Sequence, residues 1–133
     1  MSSLICFEKI NKDWSYSNGT YWDMFTGIFE LYMDKSKTPD ICDHLSREIC
    51  RSLYDCWPEK YPDPGGQIEG VLTFTDYPVS QQLELLRASQ AMLADLIADR
   101  VDRRLQMHPE ARPYFIKVLD EFITLMREEL AAR

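Results

Sequence analysis

The cysteines and histidines are the residues of this chain whose chemistry could include metal binding or nucleophilic catalysis. Cys42, Cys50 and Cys56 lie near His44 in the sequence, but zinc sites favour paired ligands two to four residues apart. Cys42 and Cys56 instead fall on the apolar stripe of a predicted helix, where a free cysteine behaves as a small hydrophobic residue. The spacing therefore favours structural thiols, and we expect neither a metal site nor a bound cofactor.

A second candidate for chemistry is the segment 103–108, which reads RRLQMH and contains an arginine, four further residues and a histidine. This spacing resembles the signature of HEPN-type ribonucleases, helical bundles in which Arg and His converge on RNA phosphate across a dimer. The resemblance implies catalytic roles for Arg103 or Arg104 with His108. In this chain the pattern runs into Pro109 at a predicted helix end, where the same cations would offset the negative end of the helix dipole. The structural interpretation is favoured, and ribonuclease activity is the alternative.

Acidic residues form a predicted stripe on the longest helical segment. Four carboxylates fall within about 60° of one another at about 100° per residue: Glu84, Asp95, Asp99 and Asp102. A solvated helix face is the common explanation for such a stripe. The functional explanation is a docking strip for a basic partner, because acidic charge speeds the encounter with a basic surface and rejects acidic ones.

The segment 58–78 combines aromatic and acidic residues in a connection broken by Pro and Gly. Its candidate partner-binding residues, with the tryptophan at its edge, are Trp57, Tyr61, Asp63, Glu69, Asp76 and Tyr77. Aromatic side chains rimmed by charge are typical of interface hot spots. The same residues could equally cover one end of the fold, and the sequence leaves both roles open.

The residues from 80 to 107 predict one long helix, because strong helix formers fill them and Gly and Pro are absent. Two apolar rows run along it. The first row contains Leu83, Leu86, Leu93, Ile97, Val101 and Leu105, and the second contains Leu85, Ala88, Met92 and Leu96. A helix that is apolar on two sides is either central to its own domain or shared with a second copy. In the second case Leu85, Met92 and Leu96 would form the seam of a homodimer.

The periodicity as a whole predicts an all-α, single-domain antiparallel bundle spanning residues 1–133. Its four main helices are expected at about 20–33, 39–57, 80–107 and 113–131. A long 58–78 loop joins the second to the third, with residues 71–75 as a candidate short strand. Residues 1–12 fit either a helix or a strand, and residues 13–19 are interpreted as a turn.

Composition narrows the function classes. The chain has 133 residues, a formal net charge of −7 and a pI near 4.8, opposite in sign to a protein that neutralises phosphates. We therefore expect no direct nucleic-acid binding; the sequence also indicates no membrane span and no secretory signal. Its cysteines suit a reducing cytoplasm. The leading hypothesis is a non-enzymatic inhibitor of the immunity or antitoxin type that occludes a basic effector. A secretion or assembly chaperone is a further alternative.

Overall fold

The computed structural model describes residues 2–17, 27–45, 71–100 and 109–132. Within these ranges the chain forms a small mixed sheet and three α-helices. In chain order the elements are β1 (Ser2–Phe7), β2 (Lys12–Ser17), α1 (Pro39–Leu45), β3 (Val71–Thr73), α2 (Val79–Ile97) and α3 (Arg112–Ala131). A π-helical turn spans Ile28–Tyr32, and 3-10 turns span Lys35–Lys37, Phe74–Asp76 and Pro109–Ala111.

Strands β1 and β2 form an antiparallel hairpin whose four-residue tip spans residues 8–11. Asn11 closes the tip with a positive φ of 51°, a conformation that Asn tolerates better than most residues. Its amide donates to the Glu8 carbonyl at 3.2 Å. The tip has no Gly or Pro and contains the apolar Ile10, so its sequence carries little of the usual turn signal.

Strand β3 pairs with β1 in parallel, which gives the strand order β2-β1-β3. Leu4 lies opposite Val71, and Cys6 lies opposite Thr73. Parallel neighbours require a long crossover, and here it is the chain between residues 7 and 71. Residues 71–73 of the proposed short strand therefore complete a sheet that begins at the N-terminus.

The prediction of an all-α antiparallel bundle of four helices is wrong, because the described part of the chain contains this sheet. The N-terminal hairpin has the alternation of half-buried strands: Ile5, Phe7 and Trp14 are buried, whereas Asp13 and Ser15 are exposed. The sequence interpretation took residues 13–19 as a turn and so missed the alternation in β2. The HEPN-type resemblance implied a helical bundle, and the observed sheet departs from that expectation too.

Helices α2 and α3 pack on each other, and α3 also packs against β1 and β2. The Trp14 indole lies 5.6 Å from the Phe122 ring, and its Nε1 donates to the Val118 carbonyl at 3.4 Å. Phe7 lies 5.3 Å from Phe74 and 6.3 Å from Phe122. These aromatic contacts join the hairpin, the turn after β3 and the last helix in one core.

Helix α2 ends at Ile97, so the predicted single helix over 80–107 is wrong. Asp99 has a φ of 55°, its amide donates to the Leu96 carbonyl at 3.3 Å, and the Arg100 amide donates to the Asp95 carbonyl at 2.8 Å. Together these bonds form a Schellman motif, in which a left-handed residue terminates the helix. Asp takes the place usually held by Gly, which is why the sequence did not reveal the end.

The remaining helix predictions have mixed outcomes. Helix α3 occupies Arg112–Ala131, within a residue of the predicted 113–131. Helix α1 begins at Pro39, the start of the predicted 39–57 helix, and is described to Leu45. Of the predicted 20–33 helix, the described residues contain only the π-helical turn Ile28–Tyr32, while residues 18–26 and 46–57 lie outside the described ranges.

Two polar side chains inside the fold satisfy backbone amides far away in sequence. The buried Gln81 accepts hydrogen bonds from the amides of Asp40 and Ile41 at 3.1 and 3.2 Å, and so caps the start of α1. The buried Glu129 accepts from the amides of Lys9 and Ile10 at 2.7 and 3.3 Å, and so holds the hairpin tip against α3. Both side chains reach their amides only because tertiary packing brings distant segments together.

Candidate protein-binding surface

An open groove runs between strand β2 and helix α3, with a volume of about 330 Å³. We call it the β2–α3 groove; it is lined by Lys12, Asp120, Glu121, Thr124, Leu125 and Glu128. It forms because β2 and α3 lie side by side, joined by the packing of Trp14 on Phe122. The lining has three carboxylates and one ammonium group, so it is acidic.

Two polar contacts cross the β2–α3 groove from strand to helix. Lys12 Nζ lies 3.1 Å from Glu128 Oε2, with both side chains about half exposed. The Tyr16 hydroxyl donates a hydrogen bond to Glu121 Oε2. Exposed ion pairs contribute little to stability, so Lys12 and Glu128 remain free to exchange this partner for another.

The environment of Tyr16 keeps its phenol protonated. Burial first, then the hydrogen bond to Glu121 and the negative charge of that carboxylate, raise the pKa of Tyr16 to about 12. The Tyr114 ring lies 6.3 Å away in an edge-on orientation. Tyr16 is therefore a hydrogen-bond donor throughout the neutral range and positions the Glu121 carboxylate at the groove.

Strand β2 is at the edge of the sheet, since the strand order is β2-β1-β3. In the part of the chain that the structure describes, no strand lies on its outer side. Edge strands present backbone N–H and C=O groups to which another chain can add. Asp13 and Ser15 are exposed on this strand and, because side chains alternate along a strand, they lie on the face opposite to that of Trp14.

The structure describes only some of the residues that the sequence predicted to take part in catalysis or in partner binding. Those that lie outside the described ranges are the candidate catalytic residues Arg103, Arg104 and His108 and the candidate partner-binding residues Trp57, Tyr61, Asp63, Glu69 and Asp102. Their roles stay predictions. The described candidates are Asp76, Tyr77, Glu84, Asp95 and Asp99, and they do not form one continuous strip.

Glu84 has a structural environment. Its side chain is only 6% exposed and forms an ion pair with Arg87, whose Nε lies 3.0 and 2.9 Å from the two carboxylate oxygens. The Asp34 amide donates to Glu84 Oε1 at 3.2 Å. The hydrogen bond from Arg87 is the main reason that the pKa of Glu84 is lowered, against the opposing effect of burial. This carboxylate holds the segment after the π-helical turn and offers a partner little surface.

The other described candidates divide between the two ends of α2. Asp95 accepts from the Tyr32 hydroxyl at 2.8 Å and so also joins α2 to the π-helical turn. Asp99 lies beyond the helix end, with its side chain 83% exposed and 3.0 Å from Arg112 Nη1. At the opposite end, Asp76 is exposed, and the ring of Tyr77 lies 6.1 Å from that of His44, edge-on.

The metal hypothesis concerns Cys42, Cys50, Cys56 and His44, of which the structure describes Cys42 and His44. Cys42 is a free thiol, and its sulfur lies 3.4 Å from Thr38 Oγ1. Across residues 2–17, 27–45, 71–100 and 109–132, no group of three or more His, Cys, Asp or Glu side chains is placed to hold a metal ion.

Helices α2 and α3 are the longest in the described ranges, and neither they nor the shorter helices there are both long and apolar enough to span a membrane. Comparisons of the chain with family models, with curated proteins and with solved structures found no match. The candidate site therefore rests on its own geometry.

The β2–α3 groove was not predicted from the sequence. One signal was present: Asp120, Glu121, Thr124 and Glu128 recur on the polar side of the predicted last helix. The other wall was hidden, because the strand character of β2 was missed. A stripe of acids on a helix becomes one wall of a groove only when a second element lies beside it.

Proposed function

We infer that this protein is a small acidic binding protein that acts as an inhibitor of the immunity or antitoxin type. It would occlude the basic surface of an effector, such as a toxin or a nucleic-acid enzyme, in the cytoplasm. The β2–α3 groove would supply the contact. The observation that carries this proposal is the groove's charge: three carboxylates line it, and its single cation, Lys12, already pairs with Glu128.

The chemistry of the groove favours a cationic occupant. A lysine or arginine entering it would meet Asp120 and Glu121, and it could displace Lys12 from Glu128. Leu125, half-buried in the groove floor, would cover the aliphatic part of such a side chain, which long cationic residues commonly bury. The net charge of −7 would add a long-range attraction for a basic protein.

The groove is tested with a defined probe, a fluorescent peptide of alternating Lys and Thr residues, titrated by anisotropy at low and physiological salt. We expect Asp120→Asn/Glu128→Gln to weaken binding about 10-fold and to reduce its salt dependence. Asp43→Asn/Glu110→Gln, which removes the same charge from exposed sites elsewhere, is the matched control. Equal weakening in both double variants would assign binding to net charge alone and overturn the groove as the site.

The inhibitory role is tested by co-expression with the product of the neighbouring gene, since an immunity protein is typically encoded beside its toxin. We expect the wild-type protein to relieve growth arrest and Asp120→Asn/Glu128→Gln to relieve it less. Growth arrest that is unaffected by the wild-type protein would contradict this role.

A further inference from the structure

Helix α2 carries a second apolar stripe on the other side from its buried row Leu85, Ala88, Met92 and Leu96. Val79, Leu83 and Ile97 are 60%, 51% and 63% exposed, and they are three of the four exposed large hydrophobic residues in the described ranges. Leu86 and Leu93 lie between them and are half-buried. A contiguous exposed apolar patch on a folded protein is typical of an interaction surface.

The stripe has the spacing of a coiled-coil seam. Its members, with Gln90 at the centre, are Val79, Leu83, Leu86, Gln90, Leu93 and Ile97. Their successive separations are four, three, four, three and four residues, which is the alternation of heptad a and d positions. They span about 80° of the helix at about 100° per residue, and extend about 27 Å at about 1.5 Å per residue. The helix thus presents a narrow seam that matches another helix.

This seam is complementary to itself. Two copies of α2 can run antiparallel about a two-fold axis that crosses the seam at the level of residue 88. Every heptad a position of one copy then lies opposite a d position of the other. Val79 then faces the second copy's Ile97, Leu83 faces its Leu93, and Leu86 faces its Gln90. Such an isologous arrangement, in which one patch pairs with itself, is how most homodimers form.

The charges beside the seam suit a second acidic copy. When the Gln90 amide is assigned with its oxygen toward α3, the orientation that satisfies both groups, it accepts hydrogen bonds from Arg127 Nη2 at 2.6 Å and Nε at 3.2 Å. Arg87, at the other margin, is paired with Glu84. On α2 itself the positions that flank the seam, Gln82 and Ser89 on one side and Ser80, Arg87 and Ala94 on the other, hold no carboxylate. Two copies therefore meet through an apolar surface whose margins on α2 hold no carboxylate, and a central polar residue such as Gln90 fixes the register of a seam.

We propose that the protein forms an antiparallel homodimer through the α2 seam, with Gln90 and Arg127 of both copies as a polar layer next to the two-fold axis. This goes beyond the binding function of the groove, because the seam lies on α2, whereas Lys12 and residues of α3 line the groove. The proposed seam also differs from the dimer seam predicted from the sequence, which used the other apolar row of the same helix. Leu85, Met92 and Leu96 are fully or almost fully buried within one chain and have no surface to offer a second copy.

The association is measured by analytical ultracentrifugation over a wide concentration range. We expect wild-type protein to sediment as a species of twice 15.6 kDa. Leu83→Glu/Ile97→Glu should weaken dimerisation at least about 100-fold, because it buries carboxylates in an apolar seam. Both positions are exposed, so the variant should keep the wild-type circular dichroism. Ser80→Glu, exposed on the same helix but off the seam, is the control and should leave the dimer unchanged.

A monomeric wild-type protein, or a dimer that persists in Leu83→Glu/Ile97→Glu, would overturn the proposal. The antiparallel register is tested with cysteines: a mixture of Leu83→Cys and Leu93→Cys should oxidise to a cross-linked dimer. Each variant alone places its new cysteines about 15 Å apart along the axis, at about 1.5 Å per residue, and should cross-link no more than wild-type protein. Cross-linking of either variant with itself, at the level of the mixture, would contradict this register.

Discussion

The inner and outer sides of the helical layer use the same residue types for opposite purposes. On α2, Leu85 is fully buried, whereas Leu83, two residues earlier, is half exposed. On α3, Glu129 is buried against the hairpin tip, whereas the neighbouring Glu128 is exposed at the β2–α3 groove. Neighbours in sequence lie on different sides of a helix. Residue type therefore does not decide whether a Leu or a Glu here holds the fold together or faces a partner.

The largest contrast concerns the two leucines. Leu85→Ala should lower the free energy of unfolding by about 2–5 kcal/mol, because it leaves a cavity in a packed core. Leu83→Ala should change it by less than about 0.5 kcal/mol, as at most surface positions. Urea denaturation of both variants at a protein concentration low enough to keep them monomeric measures the difference. Similar losses in both would mean that the seam is already packed within one chain.

The two neighbouring glutamates give the next contrast. Glu129→Ala should cost about 1–3 kcal/mol, because the amides of Lys9 and Ile10 lose their acceptor in a partly buried site. Glu128→Ala removes only an exposed ion pair with Lys12 and should cost at most about 1 kcal/mol. The free energy of unfolding compares the variants, and amide hydrogen exchange at residues 9 and 10 should accelerate only in Glu129→Ala. Unchanged exchange there would contradict the proposed role of Glu129.

Glu84 makes the stability of the fold depend on pH. Because its pKa is lowered in the folded state from the usual 4.5, its contribution is complete above that value. It is lost as the pH falls through the folded-state pKa, since the unfolded chain binds the proton first. We expect this contribution to the free energy of unfolding to be about 1–2 kcal/mol, a range kept low because Arg87 is half exposed and solvent screens its charge. The free energy of unfolding, obtained from unfolding curves at each pH, should decline less steeply below about pH 4.5 for Glu84→Gln than for wild-type protein or the exposed control Glu110→Gln. Parallel declines would contradict this role.

The end of α2 should show the smallest effect. Asp99 has a positive φ, so Asp99→Gly should raise the free energy of unfolding by about 0.5–1 kcal/mol through relief of the left-handed conformation. It also removes the exposed ion pair with Arg112, which contributes little. Asp99→Ala removes the same ion pair without relieving the backbone and should be destabilising. If the two variants lose stability equally, the ion pair rather than the backbone conformation terminates the helix.

Helix α3 and the start of α1 were predictable from the sequence, because a helix is stabilised by contacts three and four residues apart, whereas the predicted single helix over 80–107 ends at Ile97. The predicted 39–57 helix has its start where α1 begins, at Pro39, and the apolar spacing predicted α3 to within a residue. The apolar residues of α2 were also identified, since their periodicity is local. The sequence could not rank the two rows of α2, because both have helical spacing and only the positions of α3 and the π-helical turn determine which row is covered.

The tertiary structure alone decided the sheet, the groove and the separation of structural from surface carboxylates. Parallel pairing joins Leu4 to Val71, and Glu129 reaches amides 119 and 120 residues away. A local pattern holds no record of such partners, because their energies depend on which distant segments pack together. The sequence by itself determined helix α3, the start of α1 and an acidic net charge, and long-range packing determined which acids and which leucines remain at the surface.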